Sequence, residues 1–196
     1  MSFVTVHPMS FYEFAEAMGE EKLVELVRTM RWDRLDFIAS RLETLLKLYY
    51  FIGGMPEVVA SFAANNDFTA ARAIQQQILD SYDRDFSKHA PIKEVPRIRM
   101  VWQSVIGQLA KENKKFIYGF LKEGARAKDF ELALEWLQDA GLIHKVYRTK
   151  KGLLPLSAYE DFAAFKVYMS DTRSSQCHRQ TARTGSAYAD RCVHRL

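Results

Sequence analysis

In the stretch "SYDRDFSKHA", residues 81–90, Asp83, Arg84, Asp85 and Lys88 crowd four charges into six positions. On a helix Arg84 and Lys88 lie one turn apart, so the pair could reach a nucleotide phosphate as a sensor or finger. The same spacing also suits a solvated helix face on which Asp85–Lys88 and Arg84–Lys88 are simply neighbours. Both readings stand at this level. No other part of the chain offers catalytic spacing. His7, His89 and His144 are scattered without a carboxylate or cysteine at triad or ligand distance, and no serine sits in a G-x-S-x-G setting. The sequence therefore names no catalytic residue.

A second set of side chains is suited to phosphate. Lys114, Lys115, Lys122, Arg126 and Lys128 are followed by Arg148, Lys150 and Lys151, a basic lean over 114–151 that would track a nucleic-acid backbone. Glu112, Glu123, Asp129, Glu131, Glu135 and Asp139 interleave with it. The segment Asp129–Asp139, the helix that would read bases, is net acidic and repels phosphate. Docking on a protein surface competes with DNA contact for the same residues. Cys177 and Cys192 show neither CxxC nor Cys/His ligand spacing, so no metal site is expected.

The elements that must position these groups are mostly helical. A chain of 196 residues, 48% hydrophobic, can bury one large core or two small ones. No apolar run reaches the ~18–20 residues that a bilayer requires, and the N-terminus lacks a signal-peptide pattern, so the expected location is cytoplasmic and no membrane partner is expected. "FVTVHPMS" reads as a short strand, with Ser10 capping the helix after it. "FYEFAEAMGEEKLVELVRTM" has helical spacing broken at Gly19, and Leu35–Phe51 carries an apolar helical stripe. In "GGMPEVV", Gly53 and Gly54 end that helix and Pro56 opens the next, which makes a tight corner. Asp67 caps a helix with Phe68, Ala71, Ile74, Ile78, Tyr82 and Phe86 on one side.

Pro91 and Pro96 frame the best candidate for a domain boundary. Beyond it, "RIRMVWQSVIGQLAKEN", "KKFIYGFLK" and "AKDFELALEWLQDAG" read as three helices. "LIHKVYRT" reads as a strand and "LLPLSAY" as its hairpin partner, which is the winged helix-turn-helix order. The segment 172–196 has no period, no Lys and almost no aliphatic residue. From Asp171 onward, five Arg against two Asp carry +3 of the chain's +4. Such a tail cannot offset its ordering entropy and is expected to be disordered.

Taken together, "HPMSFYEF", "GGMPEVV", "ILDSYDRDFSKHA", "QLAKENKKFIYG", "ELALEWLQDAGLIHKV" and "LPLSAYEDFAAFKVY" resemble consecutive blocks of one family. It is the AAA-type (P-loop) ATP-binding proteins of bacteria and archaea with a C-terminal domain of unknown function. The likeness runs over about residues 3–171. It implies that 1–14 is a remnant of the last ATPase-core strand and 15–91 a helical, lid-like unit. It further implies that 96–160 is winged-helix-like, that 161–171 starts a truncated α/β region, and that 172–196 is an out-of-frame tail. ATP and Mg²⁺ would belong to full-length relatives. This chain has no G-x-x-x-x-G-K-[ST], and no Gly is followed by Lys. The expected function is a non-catalytic post-ATPase region that holds no cofactor and docks on an ATPase core or another protein surface. The alternative is a free-standing winged-helix module binding nucleic acid or a protein partner.

Without a phosphate cradle, affinity for ATP should be millimolar or weaker, above about −4 kcal/mol. Titration calorimetry should give no Mg²⁺-dependent heat at micromolar ATP. A saturable micromolar isotherm would overturn this expectation.

Overall fold

A computed structural model describes residues 7–29, 35–110 and 115–171. Among them are seven α-helices, α1 (Phe11–Ala17), α2 (Glu21–Arg28), α3 (Leu35–Ile52), α4 (Pro56–Asn65), α5 (Phe68–His89), α6 (Val95–Leu109) and α7 (Ala127–Asp139). Two strands, β1 (Ile143–Thr149) and β2 (Glu160–Met169), follow and pair antiparallel. The fold is thus mainly helical and closes with a hairpin. Among the described residues it divides into two compact units, one of the residues up to Ile78 together with Asp171, the other running from Leu79 to Ser170. Of the expected strand ending at Pro8, residues 3–6 lie outside the described residues, as does the expected disordered tail over 172–196, while His7 and Pro8 are in no strand.

In the first unit, local signals place the elements. Ser10 and Glu13 form a reciprocal cap: Glu13 N–H donates to Ser10 Oγ at 3.4 Å and Ser10 N–H to Glu13 Oε2 at 2.7 Å. The Ser10 main-chain N–H first, and the Ser10 side chain second, hold the Glu13 carboxyl below its ordinary value. Gly19, at φ +79°, separates α1 from α2. Asp67 caps α5 through Oδ1, which accepts from Thr69 N–H at 2.7 Å and Ala70 N–H at 3.2 Å. One cluster joins Phe14, Ile52, Val58, Val59, Phe62 and Ala71, and a second joins Ala15, Leu23, Val24 and Leu45. Each large side chain in these clusters contributes about 1.5–3 kcal/mol by leaving water.

The Gly53–Gly54 corner is held by main chain. Gly53 takes φ +83°, the left-handed end of α3. At Gly54 the chain near Met9 comes so close that a Cβ would meet Met9 O at 2.5 Å and the Pro8 ring at 3.1 Å. Met9 N–H donates to Gly54 C=O at 2.7 Å. The Tyr49 hydroxyl donates to Met9 C=O at 2.8 Å, and the buried Asp171 carboxylate accepts from Gly54 N–H at 3.0 Å. Burial comes first, and the Asp171 charge second, in pushing the Tyr49 hydroxyl above its ordinary value.

In the second unit, α6 and α7 bury Ile98, Val101, Trp102, Val105, Phe130, Leu134 and Leu137 together with Ile143 of β1. Phe86, fully buried, meets Trp102 and Trp136 edge-on at 6.0 and 5.6 Å between ring centroids.

Three expectations are corrected. The boundary does not lie at 91–96. It falls at Ile78/Leu79, inside α5, because that helix carries core residues for both units on one unbroken stripe. Pro91 and Pro96 mark only the turn between α5 and α6. The segment "KKFIYGFLK" is not a helix beyond a 3-10 turn at Tyr118–Phe120. Ile117 is extended, and Phe116 N–H donates to Phe165 C=O of β2 at 2.9 Å, so the segment runs along the strand instead. Finally, "LLPLSAY" is not the hairpin partner, which comes instead from the next segment, β2. Leu156–Tyr159 form a 3-10 turn, and Glu160–Met169 supply the strand. Pro155 has no N–H for a ladder, whereas the later segment, which holds no proline, pairs with β1 on both sides of residues 162–164.

Gly54→Ala should destabilise the fold by about 1–3 kcal/mol through overpacking against main chain. Gly53→Ala should also destabilise, by about 1–2 kcal/mol, because a Cβ is strained at its φ of +83°. Urea denaturation of both variants checks the losses; a Gly54→Ala as stable as the parent would contradict the close approach.

Candidate functional site

The hairpin presents the richest surface of the second unit. In its register Val146 faces Lys166, His144 faces Tyr168 and Tyr147 faces Phe165. After Tyr147 the register jumps, and Arg148 pairs with Asp161. Three residues, 162–164, therefore form a bulge on β2, of the kind that bends a strand and re-aims its side chains. A groove of 440 Å³ lies along this part of the hairpin, lined by Lys115, Val146, Arg148, Lys166, Tyr168 and the Tyr147–Phe165 pair, among others.

Lys115 reaches the groove because its neighbours are fixed from two sides. Ile117 N–H donates to Oε1 of the buried Gln108 at 2.6 Å, and Gln108 Nε2 donates to Ser104 Oγ at 3.2 Å. On the other side Phe116 bonds to Phe165 through the main chain and stacks on its ring at 5.6 Å and 17°. Arg148 is paired with Asp161, whose carboxyl it holds below the ordinary value by that hydrogen bond. Lys145 stands over the Phe165 ring, its Nζ 5.7 Å from the centroid. Beside these groups, burial pushes the Tyr118 hydroxyl up to about 12, with the Glu131 and Tyr147 charges adding to it.

The basic set expected from sequence is divided by the fold. Lys115 and Arg148 come together in the groove. Lys150 and Lys151 are exposed where the chain leaves β1, Lys122 and Arg126 are exposed ahead of α7, and Lys128 is exposed on α7 itself. Lys114 lies outside the described residues. Arg84 and Lys88 are exposed one turn apart on α5. Their neighbour Asp83 is taken by Arg99, whose Nε and Nη2 donate to its two oxygens at 2.7 and 2.8 Å. Arg99 Nη2 also donates to Ser87 Oγ at 2.9 Å.

Sequence reasoning missed Lys166 and Tyr168. Their signal was the alternation in "FKVYM", which puts Lys166 and Tyr168 on one face once that segment is paired with β1. It also missed Ser170 beside His144, with Oγ 3.2 Å from Nε2. The hydroxyl donates to Gly141 C=O, so its proton points away from the imidazole, and the pair closes the hairpin base rather than activating a nucleophile. Among the described residues no cluster of three or more His, Cys, Asp or Glu is arranged to hold a metal ion. No described helix is long and apolar enough to cross a membrane.

The family model that matches the chain, over residues 43–173, is described as a domain of unknown function, DUF8612. No curated protein and no solved structure matches it.

The raised Tyr118 value has a readable consequence. A folded pKa of about 12 against an ordinary 10.0 stabilises the fold below pH 10, and that contribution is lost as pH rises towards 12. Ultraviolet titration should show one phenol ionising late, and Tyr118→Phe should remove it and flatten the loss of stability between these pH values. A Tyr118 that ionises with the exposed tyrosines would contradict its burial.

Proposed function

This chain belongs to the DUF8612 family, and on that premise we propose that it is a non-catalytic binding module whose hairpin groove contacts the phosphate backbone of single-stranded nucleic acid. The observation that carries the reading is the composition of that groove. Lys115, Arg148 and Lys166 line it with Tyr147 and Tyr168, and cations interspersed with aromatic side chains are what hold a flexible strand without reading its sequence. Charge separation within the unit supports the same reading. The hairpin, from Ile143 to Met169, has five Lys and Arg against two acids, whereas α7 has four acids against Lys128. An acidic α7 is repelled from a duplex groove, so recognition by helix insertion is disfavoured and the hairpin makes the contact, as a wing would.

A second reading places the module after the ATPase core of an AAA-type protein. It rests on the resemblance of the sequence blocks "HPMSFYEF" and "GGMPEVV" to that family. In that setting the same groove would act beside an ATP-driven partner.

Fluorescence anisotropy with a labelled single-stranded oligonucleotide tests the first reading. Affinity should fall linearly in log–log form with salt, and a duplex of equal length should bind more weakly. Lys115→Glu with Lys166→Glu should weaken binding by about tenfold or more and reduce the salt slope by about one for each phosphate no longer neutralised. Lys128→Glu on α7 should leave binding unchanged. Equal weakening by all three substitutions, or by none, would overturn the assignment to the groove.

A further inference from the structure

The far end of the hairpin carries a different surface. Between β1 and β2, Leu153, Leu154 and Leu156 are 56%, 86% and 49% exposed, and Phe162 at the bulge is 69% exposed. Lys150 and Lys151 precede them, and from Lys150 to Ala158 there is no acidic residue. Four large apolar side chains exposed this close together in sequence are more than the scattered single ones of an ordinary surface.

The complementary surface lies on the same molecule. On α7 the exposed residues Lys128, Glu131, Leu132, Glu135 and Asp139 fall at helical spacing along one face. Leu132 is 63% exposed and sits between Glu131 and Glu135. One surface is thus apolar with a basic margin, and the other is apolar with an acidic margin.

We propose that the hairpin tip of one copy docks on the α7 face of a second copy, with Leu153 and Leu154 against Leu132 and Lys150 and Lys151 against Glu131 and Glu135. Unlike surfaces meet in this contact, so it is heterologous. Each copy keeps one free tip and one free helix face, and association continues past the dimer unless a ring closes. The opposed charges set the register and speed encounter, and the leucines supply the burial. The groove around Lys115 and Lys166 is not used.

Sedimentation equilibrium of the full chain under reducing conditions tests the contact. Average mass should rise above the monomer with concentration up to about 0.3 mM, the regime of a small transient interface, and fall as salt is raised. A tip variant, Leu153→Asp with Leu154→Asp, and a helix variant, Leu132→Lys with Glu135→Lys, should each be monomeric alone. Mixed in equal amounts they should form a 1:1 complex and go no further, because one intact tip then meets one intact helix face. That rescue also shows that both variants fold. A monomeric wild type across the range overturns the proposal, as does self-association that survives in either variant or a mixture that stays monomeric. Flotation with anionic vesicles is the remaining arm. If the monomeric wild type binds vesicles and the tip variant does not, the tip is a lipid-contact loop and self-docking is refuted.

Discussion

Where Met9 passes Gly54, the two main chains are closer than any side chain would allow, and the polar groups at the crossing find partners. Met9 N–H meets Gly54 C=O, Met9 C=O takes the Tyr49 hydroxyl, and Gly54 N–H meets the Asp171 carboxylate. The pairing matters because a buried amide without a partner costs about 1–3 kcal/mol. With the crossing satisfied, α1 can lay Phe14 against Ile52, Val58 and Val59 without leaving orphaned backbone beneath it. The glycine pair thus does more than turn the chain between α3 and α4. It leaves the space through which a distant segment is bound into the same core.

The second unit follows a different logic, in which polar groups fix a surface rather than a corner. Gln108 is buried, yet its amide spans Ser104 and Ile117, and the extended segment beside it is pinned to β2. Lys115 is therefore held at the groove through the main chain of its neighbours. The unit also keeps its charges apart, with α7 acidic and the hairpin basic. Such separation offers little to stability, since exposed ion pairs contribute only about 0–1 kcal/mol each. It does define which face attracts an anion.

Much of the helical architecture was legible in the residues. Ser10, Asp67, Gly53 and Pro56 act through local geometry, and local geometry is what a short stretch of sequence encodes. The hairpin was only half legible. Four apolar or proline residues in "LLPL" attract a strand assignment, while the Ala163–Ala164 doublet hides the alternation of "FKVYM" behind the bulge. The groove was hidden for the same reason, because Lys166 joins Lys115 and Arg148 only when the strand partner is known. The proline pair at 91–96 misled in another way. Proline reports a break in hydrogen bonding, and such a break need not coincide with a boundary between cores.

Placing that boundary inside α5 has a consequence for how the chain folds. Around Ile78 and Leu79 the residues lie in the interior of α5, where each N–H bonds to the carbonyl four residues before it. Helix formation propagates cheaply once begun, and a helix loses its ladder progressively from any new end. Melting of either unit would turn the middle of α5 into a fraying terminus of the survivor. A cut at 78/79 would therefore give each fragment a new helix end, and the α5 residues beside the cut would fray.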